Sequence, residues 1–375
     1  MLSNKTYFPG LNGVRFFAAF LVLLDHLELF KGYFGLRTLW GNEYSAHLGS
    51  LGVTVFFVLS GFLITYLLIE EKKIAEINIA KFYARRVLRI WPLYYLIILI
   101  SFFIVPKLRI FDIPIYNQSF DNFFSTALFL YSFFLTNIAF VFLPTVAFAN
   151  ILWSVAVEEQ FYLIWPVIIK YFKKTSTALT AIFLLYVSIK ILFALNVLGL
   201  NKYWSSGLNI LIDRTRISSM VIGGVGALLL VNKRLLCKWI FPTFTQILAI
   251  IALTVILLGL ITNNSFYLFI KNELFSIITI VLILNISSNK YTILDTENRF
   301  LNYLGKISYG IYLFHMFCAV ICLKLFIHFR LVQLLPYYVW SAMLIASVCL
   351  MSILISHISY SYFEKPFLKM KAKFA

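Results

Sequence analysis

Charge is what this chain has little of. Only 13 % of its 375 residues are charged, and 62 % are hydrophobic. A soluble globular protein carries about 25 % charged residues. A soluble fold of this length has no way to hide so much apolar surface, so the solvent for most of the chain is expected to be lipid. Cysteine is also scarce. The four present, Cys237, Cys318, Cys322 and Cys349, show no zinc-type spacing, so they read as packing residues and no metal is expected. The opening stretch MLSNKTYFPG has no cationic region followed by a small-residue cleavage site. The first apolar run is therefore expected to be a retained helix rather than a cleaved leader. No long linker, low-complexity run, internal repeat or large soluble segment is visible.

What charge there is leans one way, to a formal net charge of +17. On a soluble domain that would suggest nucleic acid. No basic stripe lies on such a domain here, so no nucleic-acid partner is expected. The basic residues read instead as anchors of cytoplasmic loops.

Apolar runs of about 20 residues place helices near 11–30, 48–69, 87–105, 150–169, 178–198, 215–231, 243–262, 266–287, 307–327 and 335–360. Alternate loops carry the lysines and arginines: Lys72, Lys73, Lys81, Arg85 and Arg86; Lys170, Lys173 and Lys174; Lys233, Arg234 and Lys238; Lys290, Arg299 and Lys306; then the tail. The opposite loops carry fewer, partly offset by acids, as with Lys31 and Arg37 beside Glu43. The reading is an all-α, polytopic membrane helical bundle of about ten transmembrane helices with cytoplasmic N- and C-termini. Residues 1–362 form the membrane domain and 363–375 a short basic cytoplasmic tail. The apolar stretch 123–143 is long enough to span, but spanning would turn the lysine-rich loops outward. It is read as one extra re-entrant or interfacial helix.

Ionisable residues inside such helices are costly and are functional candidates by default. The first helix holds Arg15 near its cytoplasmic end and His26 about 16 Å deeper, flanked by Asp25 and Glu28. An isolated histidine is more often a structural hydrogen-bonder; the carboxylates beside it leave catalysis open. Glu158 and Glu159 sit together inside the 150–169 run, where an ion pair is the plainer reading. Depth arithmetic puts His26 about 6 Å and Glu158 about 12 Å from the outer ends of their helices. A carboxylate there would orient His26 through Nδ1, with Asp25 and Glu28 as local rivals. Gly52, Ser60 and Gly61 suit close helix packing or room for a thin ligand. Arg85, Arg86 and Arg89 cluster at the start of the third helix, more than orientation needs, and arginine forks suit phosphate oxygens. Arg214 and Arg216 stand at an outer helix end before a glycine-rich face. Tyr309, Tyr312 and His315 share a late helix, and the i, i+3 spacing puts Tyr312 and His315 on one side. His328 and His357, near helix ends, read as structural.

Taken together these stretches resemble the acyltransferase-3 family of integral membrane O-acyltransferases, over nearly the whole chain. The matching features are Arg15 and His26 with ten residues between them, FFVLSGFLIT at 56–65, the RRxxRIxPxY-like stretch from Arg85 to Tyr94, and the WSxxxEEQFY-like stretch from Trp153 to Tyr162. GKISYGIYLFH and the closing FEKPF at 363–367 complete the set. The resemblance implies transfer of an acetyl or other short acyl group from cytoplasmic acyl-CoA, acetyl-CoA above all, to a hydroxyl of a surface or lipid-linked carbohydrate, in a bacterial inner membrane. Membrane lipids are the other expected partner. The implied catalytic group is His26 as general base, with Glu158 and Asp25; an acyl-histidine is the variant. Arg15, Arg85, Arg86, Arg89 and Ser60 would hold the acyl-CoA. Trp153, Glu159, Tyr309, Tyr312 and His315 would meet the substrate. Some relatives carry an additional extracytoplasmic esterase-like domain. The sequence here carries none, so transfer is expected to finish within the membrane domain or with a separate partner. Two other classes share the composition. A secondary transporter would show paired inverted halves, which are not visible. A non-catalytic lipid- or partner-binding membrane protein would not need His26.

Overall fold

A computed structural model describes residues 7–39, 48–114, 121–231, 236–258 and 265–374. Glu43, Lys233 and Arg234, used in the loop reading, lie outside these residues, as does the side chain of Cys237. Among the described residues every regular element is helical.

Eight stretches are long and apolar enough to cross a membrane: Leu48–Ile74, Ile79–Lys107, Leu152–Tyr171, Thr175–Ala194, Lys202–Val231, Tyr267–Ser288, Ser308–His328 and Tyr337–Met370. Two further expected spans differ from these for identifiable reasons. Helix Leu11–Tyr33 is long enough but carries Arg15, Asp25, Glu28 and Lys31. Helix Thr243–Leu257 has 15 residues, about 22 Å of helix against a hydrocarbon core of about 30 Å. The stretch expected as one helix at 123–143 is two short ones, Phe124–Ser132 and Thr136–Phe142, separated where Phe134 adopts a left-handed φ of 56°. The expected final tail is also helical: Tyr337–Ile358 runs on through Ser359–Glu364 into Lys365–Met370 and Lys371–Phe374.

The chain divides into two compact units. The first comprises Met1–Val14, Val53–Tyr83 and Ser154–Arg299. Its core gathers Leu11, Val58, Leu59, Phe62, Ala227, Ile280, Ile283 and Leu284. Helices Leu48–Ile74 and Ile217–Val231 meet backbone to backbone: a Cβ on Gly61 would overlap the Met220 carbonyl, and one on Gly223 the Val58 carbonyl. Small residues permit that approach, which supplies dispersion contact where lipid offers no hydrophobic drive. Polar ties reinforce it. Trp165 Nε1 donates to Thr65 Oγ1 (2.9 Å), and Ser276 Oγ donates to Ser219 Oγ (2.8 Å). Lys72 Nζ donates to the carbonyls of Ile169 and Phe172, each at 2.7 Å, and so caps a helix C-terminus.

The second unit comprises Arg15–Gly52, Ala84–Trp153 and Phe300–Ala375. Helix Ser308–His328 is buried along most of its length, and Gly310 lies against Ser356 of helix Tyr337–Ile358. The interruption near Phe134 has a tertiary cause. Tyr94 OH donates to the Tyr131 carbonyl (2.7 Å) and Tyr95 OH to that of Ser132 (2.9 Å), while the Tyr94 ring stacks on Phe134 at 4.3 Å. These bonds supply side-chain donors to carbonyls at a helix end, where the intrahelical ladder stops, which is what makes such a break tolerable away from water.

Candidate active site

The first helix sets the geometry. Arg15 and His26 are eleven residues apart, close to three full turns, so they share one helix face about 16 Å apart along the axis. Ala19 and Val22, on the same face between them, are buried. His26 is half-buried. Its Nδ1 lies 2.9 Å from Nε2 of His315, and the two rings are nearly parallel, with centroids 5.1 Å apart. His315 is 0 % exposed. Its own Nδ1 lies 3.2 Å from the carbonyl oxygen of Ile311.

This chain of contacts assigns tautomers. A carbonyl only accepts, so His315 Nδ1 carries the proton directed at Ile311. In a neutral ring Nε2 is then an acceptor. It takes the N–H of His26 Nδ1, which makes Nε2 the unprotonated ring nitrogen of His26. His26 Nδ1 thus meets a buried imidazole whose own orientation is held by a backbone carbonyl.

Sequence reasoning expected a carboxylate at Nδ1, from Glu158, Asp25 or Glu28; the structure puts His315 there. Asp25 is buried, its carboxylate against Gly49 where a Cβ would overlap it. Glu28 Oε1 accepts from Lys31 Nζ (2.5 Å), and its Oε2 accepts from Thr38 Oγ1 (3.1 Å) and from the Leu39 backbone N–H (2.8 Å). Lys31 was read as a charge of an outer loop. It is 0 % exposed, lies in the last turn of the helix, also donates to Ser341 Oγ (2.6 Å), and sits over the Trp340 ring at 5.2 Å. Charge this deep is tolerated because it is paired and hydrogen-bonded. The i, i+3 spacing of Glu28 and Lys31 was a legible signal for this pair.

Tyr309 and Tyr312, expected to meet the substrate, direct their hydroxyls to main-chain carbonyls: Ile90 at 3.1 Å and Ile151 at 3.3 Å. Their geometry is that of helix-to-helix ties. Trp153 is buried, its ring 6.3 Å from that of Phe140. His328 is exposed; His357 is exposed and hydrogen-bonds Tyr303.

Ser60, Glu158 and Glu159 belong to the first unit. Ser60 Oγ donates to Glu158 Oε1 (2.8 Å). Tyr162 OH lies 2.7 Å from Ser60 Oγ and 3.3 Å from Glu158 Oε2. Glu158 therefore anchors a serine–tyrosine–carboxylate cluster joining helices Leu48–Ile74 and Leu152–Tyr171. Tyr162 was part of the motif but not of the expected site; it is one turn from Glu158, the spacing that lets two helical side chains meet. Glu159 is half-buried on an adjacent face.

The arginines of the third helix are back in the second unit. Arg85 and Arg86 are half-buried and Arg89 is exposed. Arg85 Nη1 donates to the Phe374 carbonyl (2.9 Å). Arg89 lies within electrostatic reach of Glu364. The C-terminal helical segment thus meets these arginines at Phe374 and Glu364. Among the described residues, no group of three or more histidine, cysteine or acidic side chains is placed to hold a metal ion.

The acyltransferase domain family matches residues 8–357. The chain belongs to the acyltransferase-3 family. It is similar to the peptidoglycan O-acetyltransferase OatA of Listeria monocytogenes, 29 % identical over 46 % of this chain and 25 % of that protein. It is also similar to the O-acetyltransferase OatA of Staphylococcus aureus, 26 % identical over 98 % of this chain and 58 % of that protein. The chain thus spans less than two thirds of the length of either relative. No solved structure matches it. Membership makes this an integral membrane acyltransferase fold, whose chemistry requires an acyl donor.

Proposed function

We propose that this protein moves an acetyl group from acetyl-CoA, reaching it from the cytoplasm, to a hydroxyl of a cell-surface carbohydrate in a bacterial cytoplasmic membrane. The relatives named for peptidoglycan O-acetylation make a peptidoglycan-type glycan the first acceptor to test. The observation that supports the reading is the His26–His315 pair, in which His315 takes the Nδ1 proton of His26 and makes Nε2 the unprotonated ring nitrogen.

In this mechanism Arg85, Arg86 and Arg89 bind the phosphates of the donor through charge-assisted hydrogen bonds, with Arg15 in line below His26. The Arg15–His26 separation, about 16 Å, is of the order of an extended pantetheine arm. The acceptor hydroxyl gives its proton to His26 Nε2 as its oxygen attacks the thioester carbonyl carbon. The carbon–sulfur bond then breaks. The departing sulfur takes the proton from Nε2, so that an ester and free CoA thiol are formed and His26 returns to its starting state. His315 is a positioning residue, holding the imidazole in the required tautomer.

The test is thiol release from acetyl-CoA by purified full-length protein in nanodiscs, with peptidoglycan fragments or a crude glycan pool as acceptor. Wild type is expected to turn over, and His26→Ala to lose at least about a hundredfold in rate. Equal release by both proteins would remove His26 from the chemistry. No release by either, with donor and acceptors shown to be competent, would shift the reading to transport or binding.

A further inference from the structure

The helix that carries His26 ends in a turn that fixes one arginine. The Leu36 N–H donates to the Lys31 carbonyl (2.9 Å) and the Gly35 N–H to that of Gly32 (3.0 Å). Gly35, at φ 68°, supplies the left-handed residue that such a helix end favours. The chain then folds back along helix Leu11–Tyr33. Thr38 Oγ1 donates to the Glu28 carbonyl (2.6 Å), and the Leu39 N–H to Glu28 Oε2 (2.8 Å). Arg37 therefore has a hydrogen-bonded neighbour on each side, Leu36 before it and Thr38 after. Glu28, which holds this turn, is two residues from His26, about 3 Å along the helix axis.

The Arg37 side chain is held as well. Its guanidinium carbon lies over the Tyr337 ring, 4.3 Å from the centroid. The same ring lies 5.6 Å from the Nζ of buried Lys31, which Glu28 and Ser341 fix at 2.5 and 2.6 Å. Contact with a ring face uses none of the five N–H donors of a guanidinium. Arg37 is exposed, and among the described residues its side chain makes no hydrogen bond or ion pair. Glu28 is taken up by Lys31, Thr38 and Leu39. A donor fork that is already ordered but still open binds an oxyanion with less loss of freedom than a mobile one. Carboxylate and phosphate oxygens are the groups that fit it. Arg37 lies beyond His26 at the end of the helix opposite Arg15, so its anion belongs with the acceptor and not with the acyl donor.

We propose, on the acyl-transfer reading above, that Arg37 recognises an anionic group, carboxylate or phosphate, on the acceptor carbohydrate. Acidic glycans are then the preferred substrate class, and Arg37 is a specificity-determining residue ordered by Tyr337.

The test is binding of paired sugars to purified full-length protein in phosphatidylcholine nanodiscs, measured in the His26→Ala background so that no turnover intervenes. One pair is a disaccharide of N-acetylglucosamine and N-acetylmuramic acid beside its methyl ester. The other is a phosphorylated N-acetylglucosamine beside N-acetylglucosamine. The charged member of at least one pair is expected to bind roughly tenfold more tightly. Arg37→Gln should bring the two members to within about twofold. Arg37→Lys keeps the charge but not the fork and should fall between. Tyr337→Leu removes the ring that orders the guanidinium and should weaken the preference about threefold. The pair that responds tells a carboxylate-bearing glycan from a sugar phosphate. Equal binding of charged and neutral members, binding of none of these sugars, or a preference that survives Arg37→Gln in a monodisperse protein would overturn the proposal. So would an Arg37→Gln effect confined to retention of phosphatidylglycerol, which would assign the arginine to a lipid headgroup. An intact anion preference beside absent thiol release from the protein with His26 would instead remove the acyl-transfer reading alone.

Discussion

Replacing His315 with leucine tests the part of the site that geometry alone revealed. The imidazole is fully buried, and the substitution removes the acceptor that lies 2.9 Å from His26 Nδ1 while keeping a side chain of comparable bulk. Two costs follow. One neutral hydrogen bond contributes about 1 kcal/mol, close to fivefold in rate. The freed imidazole can also change tautomer or swing, and a misplacement of about 1 Å costs on the order of a hundredfold. We therefore expect kcat to fall between about tenfold and a hundredfold, with KM for acetyl-CoA within about twofold of wild type, since His315 is remote in sequence and role from the phosphate-binding arginines. His315→Gln supplies a carbonyl oxygen that can accept the same N–H and should recover activity to within about tenfold of wild type. The assay is the initial rate of thiol release with donor and acceptor each varied. A monodisperse His315→Leu protein turning over within about twofold of wild type would refute the tautomer argument. So would equal loss in the leucine and glutamine variants.

Three further outcomes follow from the packing and the charges. Lys31→Met strands the buried Glu28 carboxylate and should destabilise the protein by about 3 kcal/mol or more; adding Glu28→Gln should recover part of the lost thermal midpoint, and no shift in the single variant would contradict the pairing. Gly61→Ala places a methyl against the Met220 backbone and should cost about 1–3 kcal/mol, read as a lower midpoint in a thermal scan in the same detergent. Arg85→Ala should raise KM for acetyl-CoA about tenfold or more, as expected for a lost charge-assisted contact, with kcat little changed; a fall in kcat alone would assign Arg85 to a different step.

Much of the fold was legible before the structure. Helix positions follow from the length of apolar runs, and length is a local property. Residues 123–143 were correctly set apart from ordinary spans, but only because of the charges around them. Their division into two helices at Phe133–Leu135 was not legible: no glycine or proline marks it, and the carbonyls there accept from Tyr94 and Tyr95 of another helix. Lys31 was read as a loop charge because the apolar run ends just before it. Its burial depends on Ser341 and Trp340, some 310 residues further on. The arginines at 85, 86 and 89 stood out by their density, yet the C-terminal segment that meets Arg85 was expected merely as a tail.

By itself, the sequence determined that this is an all-helical membrane protein, that Arg15 and His26 lie three turns apart on one face, and that its ordered motifs belong to one acyltransferase family. The first follows from composition and the length of apolar runs, and the last from the order of short local motifs; the second depends on spacing along a single helix, where a rise of about 1.5 Å per residue fixes distance along the axis. Which group meets His26 Nδ1 was decided by tertiary structure alone. His315 lies 289 residues away, and the candidate carboxylates were plausible on depth and charge. A hydrogen bond needs a particular atom within about 3 Å, and only the packing of one helix against another places an atom so closely.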